Sequence, residues 1–167
     1  NGRDWIIPFG LQMWIQKRVL QPITLANIDE AEAFAVAHGE PFKRSAWEYI
    51  LSEYGGYMPV TIKAVPEGTP VRSGNALVTI ECDDPEVFWI VSYLETAILR
   101  AVWYPSTIAS MDFEIKKEIA HFYRLSGADL AGVSFALHDF GARGVTCDGQ
   151  AEVGGMAHMP NFGGSDT

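Results

Sequence analysis

Cysteine is scarce: Cys82 and Cys147 are the only two in 167 residues, they lie far apart, and they form no CxxC or Cys/His spacing. That pattern predicts reduced thiols in a cytoplasmic setting and argues against a disulfide framework or a cysteine-based metal site. Histidines are few as well. His38, His121 and His158 stand singly, with no HxH or HxxxH pair, so no histidine metal centre is expected. Basic residues are in deficit, 12 against 21 acidic, giving a formal charge of −9. A general nucleic-acid footprint is thereby excluded, and any anionic ligand must be held by a few local cations and backbone amides. No basic start is followed by an apolar run and a small-residue cleavage site, so no secretory leader is expected. The most apolar stretch, Val87 to Tyr104, carries Glu95 and Arg100 in its middle and reads as a buried helix rather than a membrane span. There is no GxSxG elbow and no P-loop, which removes the commonest hydrolase and nucleotide-binding signatures.

What is present describes a folded α/β chain. Hydrophobic residues make up 48% and aromatics 12%, enough for a real core. Phe9–Leu20 has apolar residues at 11, 14, 15 and 19, with Lys17 and Arg18 near its end, and predicts an amphipathic helix. A second helix is expected from a Thr24 cap through His38, stopped by Gly39. A third runs from Ser45 to Tyr54, ended by Gly55-Gly56. The period then changes to two. Residues 59–65 and 76–82 alternate as half-buried strands around the turn-rich 66–75, predicting an antiparallel pair. Asp83-Asp84-Pro85-Glu86 reads as a helix start rather than a calcium loop, because it lacks ligand spacing. The helix that follows to Trp103 is apolar nearly all round and is expected to be central. Pro105 then restarts a helix with Ile108, Met111, Ile115, Ile119 and Phe122 on its apolar stripe and Asp112, Glu114, Lys116 and Lys117 on a solvated face.

The chemistry-bearing stretch is Leu137 to Gly144 (LHDFGARG), read with Asn161 to Thr167 (NFGGSDT). Val133–Leu137 is a short apolar run, expected to be a buried strand ending in that loop, with a helix over Gly149–Met159 behind it. Strand and helix alternation points to a parallel sheet or barrel, whose strand-end loops gather ligands, so the two loops are expected to be neighbours. Arg143 is the only Lys or Arg between Leu130 and Thr167, and its planar fork suits phosphate. Phe140 is either a core side chain or a ring offered to a flat ligand. His138 is either a hydrogen-bonded structural histidine or a strand-end residue lining a ligand channel, and Asp166 reads as a cap for a following helix. The expected organisation is a helical scaffold over 1–57, a strand pair over 58–82, central helices over 83–132, and the first strand-loop-helix units of a barrel over 133–167. The chain opens on Asn1 and stops within a motif-like GGSDT, and so reads as a piece of something larger.

At HDFGARG the sequence resembles the nicotinamide phosphoribosyltransferases, within the type II phosphoribosyltransferases. Phe9–Gln12, Trp47, Tyr49–Leu51, Ile62–Gly68, Gly74-Asn75, Asp84-Pro85, Glu95-Thr96, Trp103–Pro105, Leu137–Gly141, Arg143–Val145, Ala157-His158, Asn161-Phe162 and the GSDT end resemble that family in order. The resemblance implies an irregular α/β barrel, and transfer of phosphoribosyl from phosphoribosyl pyrophosphate to nicotinamide, giving nicotinamide mononucleotide and pyrophosphate. It implies that Phe140 stacks on the pyridine, that Arg143 contacts phosphate or pyrophosphate, that Asp166 accepts a hydrogen bond from the carboxamide, and that His138 lies near the nicotinamide tunnel. A cytoplasmic homodimer is implied for the full-length enzyme, with Mg2+ and ATP as its cofactors. No cofactor is expected on this segment, nor a nucleic-acid or membrane partner. Ala142 departs from the tyrosine common in the family, and Thr146–Gln150 departs from its usual run. The family's second aromatic, from an N-terminal region of the partner subunit, and its phosphorylated histidine, placed after GSDT, lie outside these residues, so this chain alone is expected not to complete a catalytic cycle. The alternatives are a nicotinate-specific relative and a non-catalytic ligand-binding or assembly module.

Overall fold

Where capping and turn chemistry is local, the chain folds as its sequence predicts; the computed structural model describes residues 4–165. Helix α1 (Leu11–Trp14) continues as a π-helix over Ile15–Val19. Helix α2 (Leu25–Ala37) starts at Thr24, whose hydroxyl accepts from the Asn27 amide while the Asn27 side chain accepts from the Thr24 amide. This reciprocal pair satisfies two otherwise orphaned donors. Helix α3 (Arg44–Tyr54) ends on Gly55 in the left-handed region, as a glycine-terminated helix should. Strands β2 (Val60–Ala64) and β4 (Val78–Cys82) pair in a two-stranded sheet. A second pair joins β1 (Trp5–Ile6) to β3 (Val71–Arg72) in antiparallel register, Trp5 opposite Arg72 and Ile6 opposite Val71. Residues 66–75 are therefore not all turn: their middle forms the partner of the N-terminal strand.

Two compact units are built from interleaved segments. One takes residues 12–63 and 78–97, and its buried apolar side chains are Val19, Ile28, Ala46, Ile50, Val87, Ile90 and Leu94. Within it, Trp47 meets Trp89 and Tyr93 edge-on at 4.8 and 5.1 Å between ring centroids. Asp84 caps a 3-10 turn over Pro85–Val87 and accepts hydrogen bonds from the Tyr54 and Tyr49 hydroxyls at 2.7 and 3.0 Å.

The other unit takes residues 4–11, 64–77 and 98–165 of the described chain, with Ile7, Leu11, Ile98, Ala109, Val133, Ala157 and Phe162 buried. Residues 98–126 of this unit belong to α4 (Ile90–Ser126), a helix of 37 residues with Pro105 inside it. The sequence predicts two helices here, because proline removes the hydrogen bond to the carbonyl four residues back. Gly10, at φ +100°, packs against that carbonyl, of Ala101, and against the Pro105 ring; a Cβ on it would lie 2.5 Å from each. The apolar stripe is also placed differently. Met111, Ile115 and Phe122 are exposed, as are Tyr93, Leu99 and Trp103 nearer the start of the helix, whereas Ser106, Ala109, Ser110 and Asp112 are buried. Small hydroxyl residues face inward because they serve the backbone beside them: Ser110 Oγ accepts from the Ile7 amide at 2.9 Å and Ser106 Oγ from the Phe9 amide at 3.0 Å. Helicity between Ile90 and Ser126 thus follows expectation, while the inward face does not.

The largest correction concerns Val133–Leu137. Leu130–Phe135 is a 3-10 helix rather than a strand, begun by Asp129, whose carboxylate accepts from the Ala131 amide at 2.9 Å. A strand needs a neighbour along its edge. Here the Ser134 carbonyl instead accepts from the Gly163 amide at 2.7 Å. The architecture is mixed helix and small sheets, and no barrel strand forms among the described residues. Helix α5 (Asp148–His158) follows the second loop as expected.

Candidate active site

The site is assembled within the second unit from the C-terminal half of α4, the loop 137–144, α5 and the turn after it. Asp139 shapes the loop: its Oδ1 accepts from the Gly141 amide at 2.8 Å and opens a 3-10 turn over Gly141–Gly144. A Cβ at 141 would lie 2.8 Å from that same oxygen, so a larger residue there would push the Asp139 carboxylate aside. The start of α5 is tied down by Gln150, whose Oε1 accepts from the Thr146 amide and hydroxyl at 2.9 and 2.7 Å. Gly154 on α5 leaves room for the Tyr104 hydroxyl, which a Cβ would approach to 3.1 Å. Burial pushes the Tyr104 hydroxyl above the ordinary tyrosine value, opposed by the Gln150 side chain and reinforced by the Asp139 charge.

Behind the loop lies a buried ion-pair geometry that periodicity does not reveal. His158 Nδ1 is 2.7 Å from Asp112 Oδ2, and its Nε2 is 3.2 Å from the Leu137 carbonyl oxygen. Both ring nitrogens therefore face acceptors, which is satisfied when the ring carries both protons or when Asp112 supplies one of them. Burial raises the Asp112 carboxyl above its ordinary value, partly offset by the hydrogen bond and charge of His158. The imidazole also stacks on Phe162 at 5.0 Å and 18°. Asn161 Nδ2 donates to the Ala109 carbonyl at 2.8 Å, and Lys116 Nζ donates to the Asn161 carbonyl. Asp112 is thus not on a solvated face, and His158, though single in sequence, sits at the centre of this unit.

These anchors bring the two glycine-rich loops together. A Cβ on Gly164 would lie 3.6 Å from His138 Cε1, and one on Gly163 would lie 3.0 Å from the Phe135 ring. The expected adjacency of the loops is what the geometry shows as far as Gly164; Asp166 lies outside the described residues. Of the remaining predicted site residues, His138 and Phe140 present near-parallel rings, 6.4 Å apart at 18°. Phe140 is 64% exposed, as are Phe34, Phe88, Phe122 and Phe135 to a similar degree. Arg143 is exposed on the 3-10 turn. Beside them is an open cleft of about 420 Å³, lined among others by Tyr104, Asp112, His138, Asp139, Gln150 and His158, with Phe140 and Arg143 outside its lining. Chemically the loop offers an aromatic platform and a cation within a few residues of each other. Among the described residues no group of three or more His, Cys, Asp or Glu could hold a metal ion. No helix of the described chain is long and apolar enough to cross a membrane.

Comparison with known proteins adds to this geometry. Residues 2–62 match the family described as nicotinamide phosphoribosyltransferase, N-terminal domain. The chain is 47% identical over 160 residues to a nicotinamide phosphoribosyltransferase of Xanthomonas campestris pv. campestris, covering 95% of this chain and 34% of that protein. It is 30% identical over 174 residues to the nicotinamide phosphoribosyltransferase of Acinetobacter baylyi, covering 98% of this chain and again 34% of the relative. The chain thus spans about a third of the length of these relatives. Among solved structures, human nicotinic acid phosphoribosyltransferase is similar in fold, with a TM-score of 0.63 at 20% identity, over 99% of this chain and 29% of that one.

Proposed function

Starting from a chain that is a segment of the nicotinamide phosphoribosyltransferase family, we propose that it contributes the pyridine-binding loop to an enzyme that transfers phosphoribosyl from phosphoribosyl pyrophosphate to nicotinamide. The observation that carries this reading is the 47% identity extending over 95% of the chain, and the loop chemistry is consistent with it. The reacting carbon passes through an oxocarbenium-like state, so the protein's task is to orient a flat nucleophile and to stabilise the departing pyrophosphate. In this reading the exposed Phe140 ring, with His138 alongside, is the platform on which the pyridine lies. Arg143, the one Lys or Arg between Leu130 and Thr167, donates to phosphate or pyrophosphate oxygens. Asp166 accepts from the carboxamide, which favours nicotinamide because the carboxylate of nicotinate would be repelled. Pairing into a cytoplasmic homodimer, completion of an α/β barrel and dependence on Mg2+ and ATP belong to the same proposal for the full-length enzyme.

The test uses the full-length protein with phosphoribosyl pyrophosphate and either nicotinamide or nicotinate. Wild type is expected to turn over nicotinamide by preference, and Asp166→Asn to lose most of that preference. Equal use of the two substrates by wild type would favour a nicotinate-type relative. Binding of nicotinamide without any turnover would favour a non-catalytic module.

A further inference from the structure

We propose that His158, held by Asp112, is a positioning residue that aims the His138–Phe140 ring pair. The proposal rests on the pyridine-binding reading above but is built on different atoms. His158 Nε2 lies 3.2 Å from the Leu137 carbonyl oxygen. That oxygen belongs to the peptide group whose nitrogen is His138's, so fixing it fixes the plane from which the His138 side chain departs. The opposite ring nitrogen is held at 2.7 Å by Asp112 on α4, 46 residues away in sequence. A neutral apolar residue would fill the same space and leave the Leu137 carbonyl without this donor. Buried ion pairs contribute little net stability against apolar replacements of similar shape, and their well-attested use is to specify one arrangement.

The same imidazole braces the site from its other side. Its face stacks on Phe162 at 5.0 Å, and Phe162 leads into Gly163 and Gly164, of which Gly164 approaches the His138 ring. One buried side chain, 2% exposed, therefore touches α4, the loop before His138, and the root of the second loop. Loss of the donor frees the 137–138 peptide to rotate and moves the platform relative to whatever lies on it. Misplacement of a binding group by about 1 Å can cost on the order of 100-fold in rate or affinity.

Three variants of the full-length protein test this. His158→Phe, which keeps a ring against Phe162 but removes the donor, and Asp112→Ala are expected to raise KM for nicotinamide by roughly ten-fold or more, while KM for phosphoribosyl pyrophosphate and kcat change less than about three-fold. Asp112→Asn is expected to stay close to wild type, because its amide can donate to Nδ1 while Nε2–H still reaches the Leu137 carbonyl. Hydrogen exchange of peptides spanning 137–141 should quicken in the first two variants and not in the third. An unchanged nicotinamide KM in folded His158→Phe or Asp112→Ala would overturn the proposal. So would a common loss in kcat and both KM values that tracks thermal stability, or an Asp112→Asn as impaired as Asp112→Ala. If wild type turns over no nicotinamide, the functional reading fails, and the exchange measurement alone still decides whether His158 holds the loop.

Discussion

Replacing Gly10 by alanine would drive a methyl group into the place where the N-terminal backbone meets α4. The new Cβ would stand 2.5 Å from the Ala101 carbonyl oxygen, 2.5 Å from Pro105 Cγ and 3.3 Å from Pro105 Cβ. None of these atoms can move cheaply, since one is backbone and the others belong to a ring locked into the helix. Gly10 is also at φ +100°, where any residue with a Cβ costs about 1 kcal/mol. Overpacking of this kind adds about 1–3 kcal/mol, so the substitution should destabilise by roughly 2–4 kcal/mol. Two other glycines separate the contributions. Gly74 is at φ +92° with nothing within 4 Å of its Cβ position, and Gly74→Ala should cost only the conformational part, about 1 kcal/mol. Gly149 lies in α5 at an ordinary φ with open space beside it, and Gly149→Ala should be neutral or stabilising by up to about 1 kcal/mol. Urea unfolding at constant m-value reads the series. If Gly10→Ala costs no more than Gly74→Ala, the close approach of the Gly10 backbone to Ala101 and Pro105 is refuted.

Further outcomes follow from particular side chains. The Asp84 carboxyl is lowered by the Tyr54 hydroxyl and the Glu86 amide, and Asp84 in turn pushes Tyr54 up to about 12 from 10.0. The carboxylate's contribution is present above the ordinary carboxyl range and lost as pH falls through its depressed value; the tyrosine's is full below about pH 10 and lost between there and about 12. A stability profile against pH should show both limbs, and Asp84→Asn should flatten them; an unaltered profile would count against the cluster. Arg44 bonds Asp29, Glu32 and Glu48 at 2.7, 2.7 and 2.6 Å, which raises its already high pKa. Arg44→Met should lower Tm, with the difference shrinking as salt rises from 0.05 to about 1 M; a salt-independent difference would assign the effect to packing. Arg143→Ala in the full-length protein should raise KM for phosphoribosyl pyrophosphate about 10- to 100-fold, as loss of a charge-assisted hydrogen bond of about 1.5–3 kcal/mol requires, and leave KM for nicotinamide nearly unchanged.

What the sequence discloses and what it hides divide along a physical line. Caps and turn residues act over three or four positions, so α2, α3, the 60–64 and 78–82 strands and α5 are legible from Thr24, Gly39, Gly55 and the alternating runs. The segment 133–137 is not, because an apolar run becomes a strand only beside a partner edge, and the partner found here is a single amide at Gly163. Pro105 misleads for a similar reason: its local effect is to end a helix, and the approach of Gly10 to the Ala101 carbonyl lies 91 residues away in sequence. On α4 the backbone donors at Ile7 and Phe9 need hydroxyl acceptors, so Ser106 and Ser110 share the inward face with Ile98 and Ala109 while Met111, Ile115 and Phe122 of the expected stripe are exposed. The site divides in the same way. His138, Phe140 and Arg143 are visible because unusual residue types crowd a glycine-rich loop. Asp112 and His158 are not, since each looks ordinary until the fold brings them within 2.7 Å. The residues that would touch a ligand are thus written locally, and the residue that orients them is written only in the tertiary structure, so His158 rather than Phe140 is the position at which sequence-guided mutagenesis of this loop would miss its support.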